Sequence, residues 1–186
     1  MAAEDQRVRA ELAADGSLFD GYHPRMAEVH LRNGARLAAI LDRHGWPAPG
    51  LVGADGAAAA WLVLQHAIGD PPLMRRGLEL LSQLAPGEID PARLAMLEDR
   101  VSAFEGRPQR YGTQYDWDEA GRLGPLPLED PGRVDQLRRS VGLGPLEENT
   151  QRIREETARA GERPPPDWAE RQRKKREWER SVGWHD

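Results

Sequence analysis

The chain has 186 residues, 39% of them hydrophobic, and a formal net charge of −5 at neutral pH, enough for one sizeable helical body with residues left over for a tail. It contains no cysteine, which excludes disulfides, thiolate metal sites and cysteine nucleophiles together. Residues 1–150 carry 16 basic and 23 acidic side chains, whereas 151–186 carry 10 and 8, so the body is unsuited to nucleic acid and only Arg171 to Arg176, RQRKKR, offers a basic handle.

The first helix is expected over Ala3–Ala14, stopped by Asp15 and Gly16. A connector around Phe19 to Pro24 leads to a second helix from about Arg25 to His44, in which Met26, Val29, Leu37, Ile40 and Leu41 fall within an arc of about 120°. His30, Asn33 and His44 share that arc, so polar side chains face the core side. Gly45 and Pro47 end the helix, GWPAPGLVG reads as a loop, and a third helix is expected from about Gly56 to Ile68 with Asp55 as its N-cap. Asp-Pro pairs at 70–71, 90–91 and 130–131 each read as a helix start. The first opens a helix bearing Leu73, Leu78, Leu81 and Leu84. The second runs to about Phe104 with Leu94, Leu97 and Val101 on one side and Asp99 pointing away from them. The third carries Val134, Leu137 and Val141.

Residues 107–128, RPQRYGTQYDWDEAGRLGPLPL, hold too much glycine and proline for a helix and are expected as a small hairpin or extended loop turning near Asp118 to Gly121. A helix from Pro145 toward Arg159 follows. Then come a proline spacer at Pro164 to Pro166 and a terminal helix with a capping-box-like start at Asp167 and Glu170. The expected fold is therefore mainly α, a single helical domain over 1–160 with that hairpin inserted, and a basic, tryptophan-containing tail over 161–186. The tail fails as a coiled coil, because Trp168 and Trp178 sit about 80° apart around its axis. No run approaches the ~20 apolar residues that span a bilayer, and MAAEDQRVRAELAADG lacks the apolar core of a signal peptide. A cytoplasmic protein with no membrane contact is expected. Lys174 and Lys175 are the only lysines, a bias that fits GC-rich bacterial codon usage.

The segment Ala57 to His66, AAAAWLVLQH, is hydrophobic on every side until Gln65 and His66 arrive together. A helix of that kind is normally buried, and an amide and an imidazole at its end need partners or meet a ligand. His66 suits general acid-base work near neutral pH, and it equally suits a core histidine bonded to a carbonyl. Asn33, in the middle of the apolar arc, could present its amide to the same cavity. His30 and His44 are about 21 Å apart along their helix and cannot share an ion. His30, Asn33 and His66 could meet if the second and third helices pack side by side, but without a dense ligand cluster no metal and no cofactor are expected. No phosphate loop, nucleophile elbow or dinucleotide fingerprint occurs.

GWP at 45–47, VG at 52–53, AAWLVLQH at 59–66, DR at 99–100, PQRYGTQ at 108–114 and PLEDPGRVDQLRRSVGLGPL at 127–146, in that order, resemble the bacterial family called domain of unknown function 6624, over about residues 25–148. The resemblance implies no reaction. It picks out Trp61, Gln65, His66, Asp99, Arg100, Gln109, Tyr111, Gly112, Thr113 and Gln114 as positions of the family pattern. After His66 this chain has AIGDPPLM, where the family often has an acidic residue and a glutamine.

Two functions follow as expectations. In the first, a cofactor-independent hydrolase, lyase or isomerase acts on a polar small molecule. His66 and Asp99 are catalytic, and Asn33, Gln65, Arg100, Gln109, Tyr111, Thr113 and Gln114 bind substrate. Arg100 would clamp an anionic group, or else pair with a neighbouring helix. In the second, a non-catalytic adaptor docks a protein partner through residues 167–184, with Trp168, Trp178 and Trp184 as anchors.

Overall fold

The computed structural model describes residues 1–19 and 22–185, so residues 20 and 21 of the expected connector lie outside the described residues. The described residues are mainly α, with one small antiparallel sheet. Their contacts group into two compact units, residues 1–89 and 90–186.

The first unit comprises α1 (Ala2–Ala14), a 3-10 turn at Ser17–Phe19, α2 (Pro24–His44), α3 (Pro49–His66) and α4 (Pro71–Ser82). α1 buries Asp5, Val8 and Leu12, spaced i, i+3, i+7 and hence on one face. Val8 and Leu12 pack with Met26 and Val29 of α2, and Leu18 and Tyr22 close over them. α2 buries Met26, Val29, His30, Asn33, Gly34, Leu37 and Leu41. This is the expected arc, except that Ile40 is half-buried and His44, at the helix end, is exposed.

α3 corrects the sequence reading twice. It starts at Pro49, whose fixed φ suits the first helical position, and turns at Gly53 with φ 74° and ψ 169°, a conformation glycine adopts without strain. The expected loop is thus a helical piece before a kink, and Asp55 is not a cap. Nor is α3 buried all round: Ala60, Val63 and Leu64 are buried, whereas Trp61, Gln65 and His66 are half-buried and Leu51 and Val52 are exposed. α4 begins where expected, with Asp70 Oδ1 accepting from Leu73 N at 3.1 Å. It passes close to α3 at Gly77, where a Cβ would collide with the Leu64 side chain.

The second unit holds α5 (Pro91–Phe104), β1 (Tyr115–Trp117), β2 (Leu123–Pro125), α6 (Val134–Ser140), α7 (Leu146–Arg159) and α8 (Trp168–Val182). Asp90 caps α5 through Ala92 N. The hairpin forms where expected, with Tyr115 opposite Pro125 and Trp117 opposite Leu123. The turn is closed by Asp118 N donating to Arg122 O. The third Asp-Pro pair does not start a helix: Asp130 Oδ1 accepts from Gly132 N and Arg133 N, making a turn that delays α6 to Val134. α8 is capped by Asp167 Oδ1 accepting from Glu170 N at 2.8 Å.

α8 is not a free tail. Trp184 is 3% exposed and stacks on Phe104 with ring centroids 4.9 Å apart, while Trp178 meets the same ring edge-on. Trp168 Nε1 donates to Trp117 O at 2.8 Å. Arg171 pairs with Asp116, and Arg173 with Glu170 and Glu177. The aromatic side chains, read as anchors for a partner, pack within this unit, Trp184 as part of its core, and part of the basic run is neutralised at home. No helix among the described residues is long and apolar enough to cross a membrane.

Candidate active site

In the first unit three helices each contribute one polar side chain to a single point. Asp5 of α1 is 1% exposed, His30 of α2 is 7% exposed, and His66 at the end of α3 keeps 15%. His66 Nδ1 lies 3.0 Å from both Asp5 oxygens. His30 Nε2 lies 3.1 Å from Asp5 Oδ2, yet this nitrogen makes no aligned hydrogen bond among the described residues, so the contact is an ion-pair approach with the carboxylate off the N–H line. The two imidazoles are tilted neighbours with centroids 5.1 Å apart. On the far side of His30, Tyr22 Oη lies 2.9 Å from Nδ1, and its ring stacks on the imidazole.

The electrostatics give this chain of contacts a direction. Burial raises the Asp5 carboxyl, but the close approach of His30, the hydrogen bond from His66 and the charges both imidazoles can carry outweigh it and hold Asp5 well below the usual carboxylate range. Tyr22 is pushed up, first by burial and then by the Asp5 charge, so the phenol keeps its proton and can donate it to His30 Nδ1. Asp5 is then the fixed acceptor. A carboxylate on Nδ1 selects the His66 tautomer with its lone pair on Nε2, the arrangement that makes a histidine a base. Among the described residues no partner holds that Nε2.

Asn33 lies on the same face of α2, one turn beyond His30. Its Nδ2 donates to Met1 O at 3.3 Å, and its Oδ1 is buried without a partner among the described residues. Gln65 is half-buried beside His66.

The remaining expected site residues form a second constellation, in the second unit. Asp99 is 0% exposed, so the side of α5 away from its apolar stripe is buried as well. Its Oδ1 accepts from Arg110 N at 2.8 Å and Tyr111 N at 3.1 Å, and its Oδ2 from Thr113 N and Thr113 Oγ1, both at 3.0 Å. Gln109 Oε1 accepts from Gln114 N, while its Nε2 donates to Gln114 O and Leu126 O. Gln114 Nε2 donates to Thr113 Oγ1. The buried Arg138 guanidinium donates to Tyr111 O at 2.6 Å and to Gly144 O. Gly112 is required here: its φ is +65°, and a Cβ would lie 2.7 Å from Leu146 Cδ1. The side chains of Gln109, Thr113 and Gln114 are thus spent on holding their own loop. Arg100 sits half-buried on α5, and Arg110, with Glu129, Asp130, Arg133 and Leu137, lines an open cleft of about 500 Å³.

The carboxylate on His66 is therefore Asp5, not Asp99, and of the two α2 side chains expected near His66 it is His30 that lies against it. Asp5 and Tyr22 were missed by sequence reasoning. The signal for Asp5 was present, since an acid at i with Val8 at i+3 and Leu12 at i+7 stands on an apolar stripe. Tyr22 had none, lying in a connector with no periodicity to orient it.

Fold and site together define a mainly α protein with a buried Asp-His-His cluster carried on three helices. The chain belongs to the Family of unknown function (DUF6624), whose model matches residues 1–160 and so takes in Asp5, Tyr22, His30 and His66. No curated protein and no solved structure matches the chain.

Proposed function

We propose that the first unit carries the reactive centre of an acid-base enzyme acting on a polar small molecule, of hydrolase, lyase or isomerase type, with His66 as the proton-moving group. The observation that supports this best is the Asp5–His66 contact, a buried carboxylate on Nδ1 of an imidazole that keeps some solvent exposure. A histidine serving only as core would have both nitrogens consumed by its surroundings. Each of these reaction types needs a proton moved, from an attacking water in a hydrolysis or from the substrate in an elimination or isomerisation, and one oriented histidine supplies roughly 10²–10⁴-fold.

In this reading Asp5 orients His66, Tyr22 fixes His30 beside Asp5, and Asn33 and Gln65 are the nearby groups for substrate. Asp99, Gln109, Thr113 and Gln114 drop out, because their hydrogen-bonding capacity is used within the loop. The adaptor alternative has less support, since Trp168, Trp178 and Trp184 are engaged inside the second unit.

The test incubates wild-type protein and His66→Gln with a polar metabolite extract and follows both by mass spectrometry. The expected outcome is one metabolite consumed and a matched product formed by wild type, at least about 100-fold slower with the variant, whose helical circular dichroism is unchanged. Equal turnover by the two proteins overturns the proposal, as does the absence of any turnover.

A further inference from the structure

We infer that Asp5, His30 and His66 form a binding site for one divalent transition-metal ion, with zinc the best-fitting member of the class. The inference rests on the reading above that this cluster is the reactive centre, and it names the ion that works there.

Geometry comes first. One ligand atom from each of the three residues lies within 4.8 Å of the other two. Ligands held 2.0–2.1 Å from a tetrahedral ion stand about 3.3 Å from one another. Asp5 already approaches His66 Nδ1 at 3.0 Å and His30 Nε2 at 3.1 Å, so two of the three edges have that length within a few tenths of an ångström. Only the edge between the imidazoles has to shorten.

The second observation is the state of His30. Its Nε2 is buried, faces Asp5 and has no aligned hydrogen bond among the described residues. That is the condition of a nitrogen whose lone pair is meant for something other than a carboxylate. Its other nitrogen is held by Tyr22 Oη at 2.9 Å. A metal-bound imidazole donates its second N–H outward, and a phenol oxygen can accept it, so Tyr22 is the outer partner that fixes ring and tautomer.

Charge is the third. Asp5 is sealed from solvent and faces two imidazoles that are cations only when protonated. A buried anion requires positive charge close by, and a dication at the common focus provides it with both imidazoles neutral. Two imidazoles and one carboxylate form the donor set of catalytic zinc sites and of facial-triad iron sites, both of which keep an open position. One carboxylate is too few for calcium or magnesium, which take mostly oxygen ligands. With an ion bound, His66 would be one of its ligands, and the proton-moving role assigned to it above would pass to water activated at the open position.

The experiment uses untagged full-length protein stripped with chelator, titrated with ZnCl2 by calorimetry and with CoCl2 by visible absorbance. Expected are one ion per chain, a Kd below about 1 µM, cobalt bands of a four-coordinate site, and a rise in Tm with added zinc. His30→Gln and His66→Gln each weaken binding by at least about 100-fold, while His44→Gln, at an exposed histidine, leaves it unchanged. Imidazole ¹⁵N shifts of the wild type report coordination at His30 Nε2 and His66 Nδ1 without any substitution, so the test survives a variant that does not fold.

No zinc or cobalt binding by folded wild type overturns the inference, and so does binding unchanged in both ligand variants, which marks an adventitious ion. Turnover by stripped protein as fast as by zinc-loaded protein also overturns it and leaves the acid-base reading standing. Tight zinc binding at these ligands with no turnover of any metabolite supports the ion site and sinks the enzyme reading.

Discussion

Asp5 and Asp99 are both sealed carboxylates on helices, 1% and 0% exposed, and they do different work because their partners differ. Asp99 is held by three backbone N–H groups and one hydroxyl from residues 110–113. Those N–H donors cannot change protonation state or orientation without moving the chain, so the contact locks a loop. Asp5 is held by two imidazoles, each of which can gain a proton, lose one or turn its lone pair to a metal. Burial therefore does not separate a structural carboxylate from a functional one. The chemistry of the partner does.

One substitution made at both places breaks or sharpens the contrast. Asp99→Asn presents an NH2 group to backbone N–H donors that cannot become acceptors, leaving at least one buried N–H without a partner, and the expected loss of stability is about 3 kcal/mol. Urea unfolding followed by circular dichroism measures it, and the amides of Arg110, Tyr111 and Thr113 should lose hydrogen-exchange protection ahead of the rest of their unit. The same change at Asp5 meets imidazoles that can shift tautomer and accept from the new amide. There the expected loss is nearer 1 kcal/mol, with turnover and zinc binding abolished. Equal losses at the two sites would mean that the Asp5 cluster is as rigidly structural as the Asp99 loop, and the functional reading would fall.

Much of this contrast was legible in the sequence in pieces. The helices, the hairpin and the Asp70 and Asp90 caps follow from local chemistry that acts within a few residues, and the structure keeps them. His30 and Asn33 stood out because a polar residue on an apolar arc breaks a periodic pattern. What stayed hidden was pairing. That Asp5 meets His66, sixty-one positions away, depends on α1 packing against both α2 and α3, and periodicity sets which face of a helix is buried but not which neighbour it meets. Asp99 misled for a related reason: α5 is buried on two sides, one by apolar packing and one by a loop that supplies N–H donors instead of methyl groups. The third Asp-Pro pair misled because a following glycine let the aspartate close a turn before any helix began. α8 looked like a tail because its charged residues outnumber its tryptophans, yet Trp184 alone, stacked on Phe104, commits the end of the chain to the core.

The smallest expected effect is at Tyr22, and it bears most directly on how the Asp5 cluster differs from the Asp99 cage. Tyr22→Phe keeps the ring, its stacking on His30 and its burial, and removes only the oxygen that lies 2.9 Å from His30 Nδ1. A single neutral hydrogen bond lost at a half-buried position costs about 1 kcal/mol or less, so the fold should survive with little change in Tm. In a cage of fixed donors that would be the whole effect. In a cluster whose imidazoles choose between tautomers, Tyr22 sets which nitrogen of His30 carries the proton. Its loss should move the His30 ¹⁵N shifts toward the other tautomer while those of His66, held directly by Asp5, stay where they are. Zinc affinity should fall about 10-fold, the usual consequence of removing an outer hydrogen bond to a metal-bound histidine. Unchanged His30 shifts and unchanged zinc affinity in a folded Tyr22→Phe protein would show that the phenol only fills space, and would leave Asp5 as the sole group ordering the site.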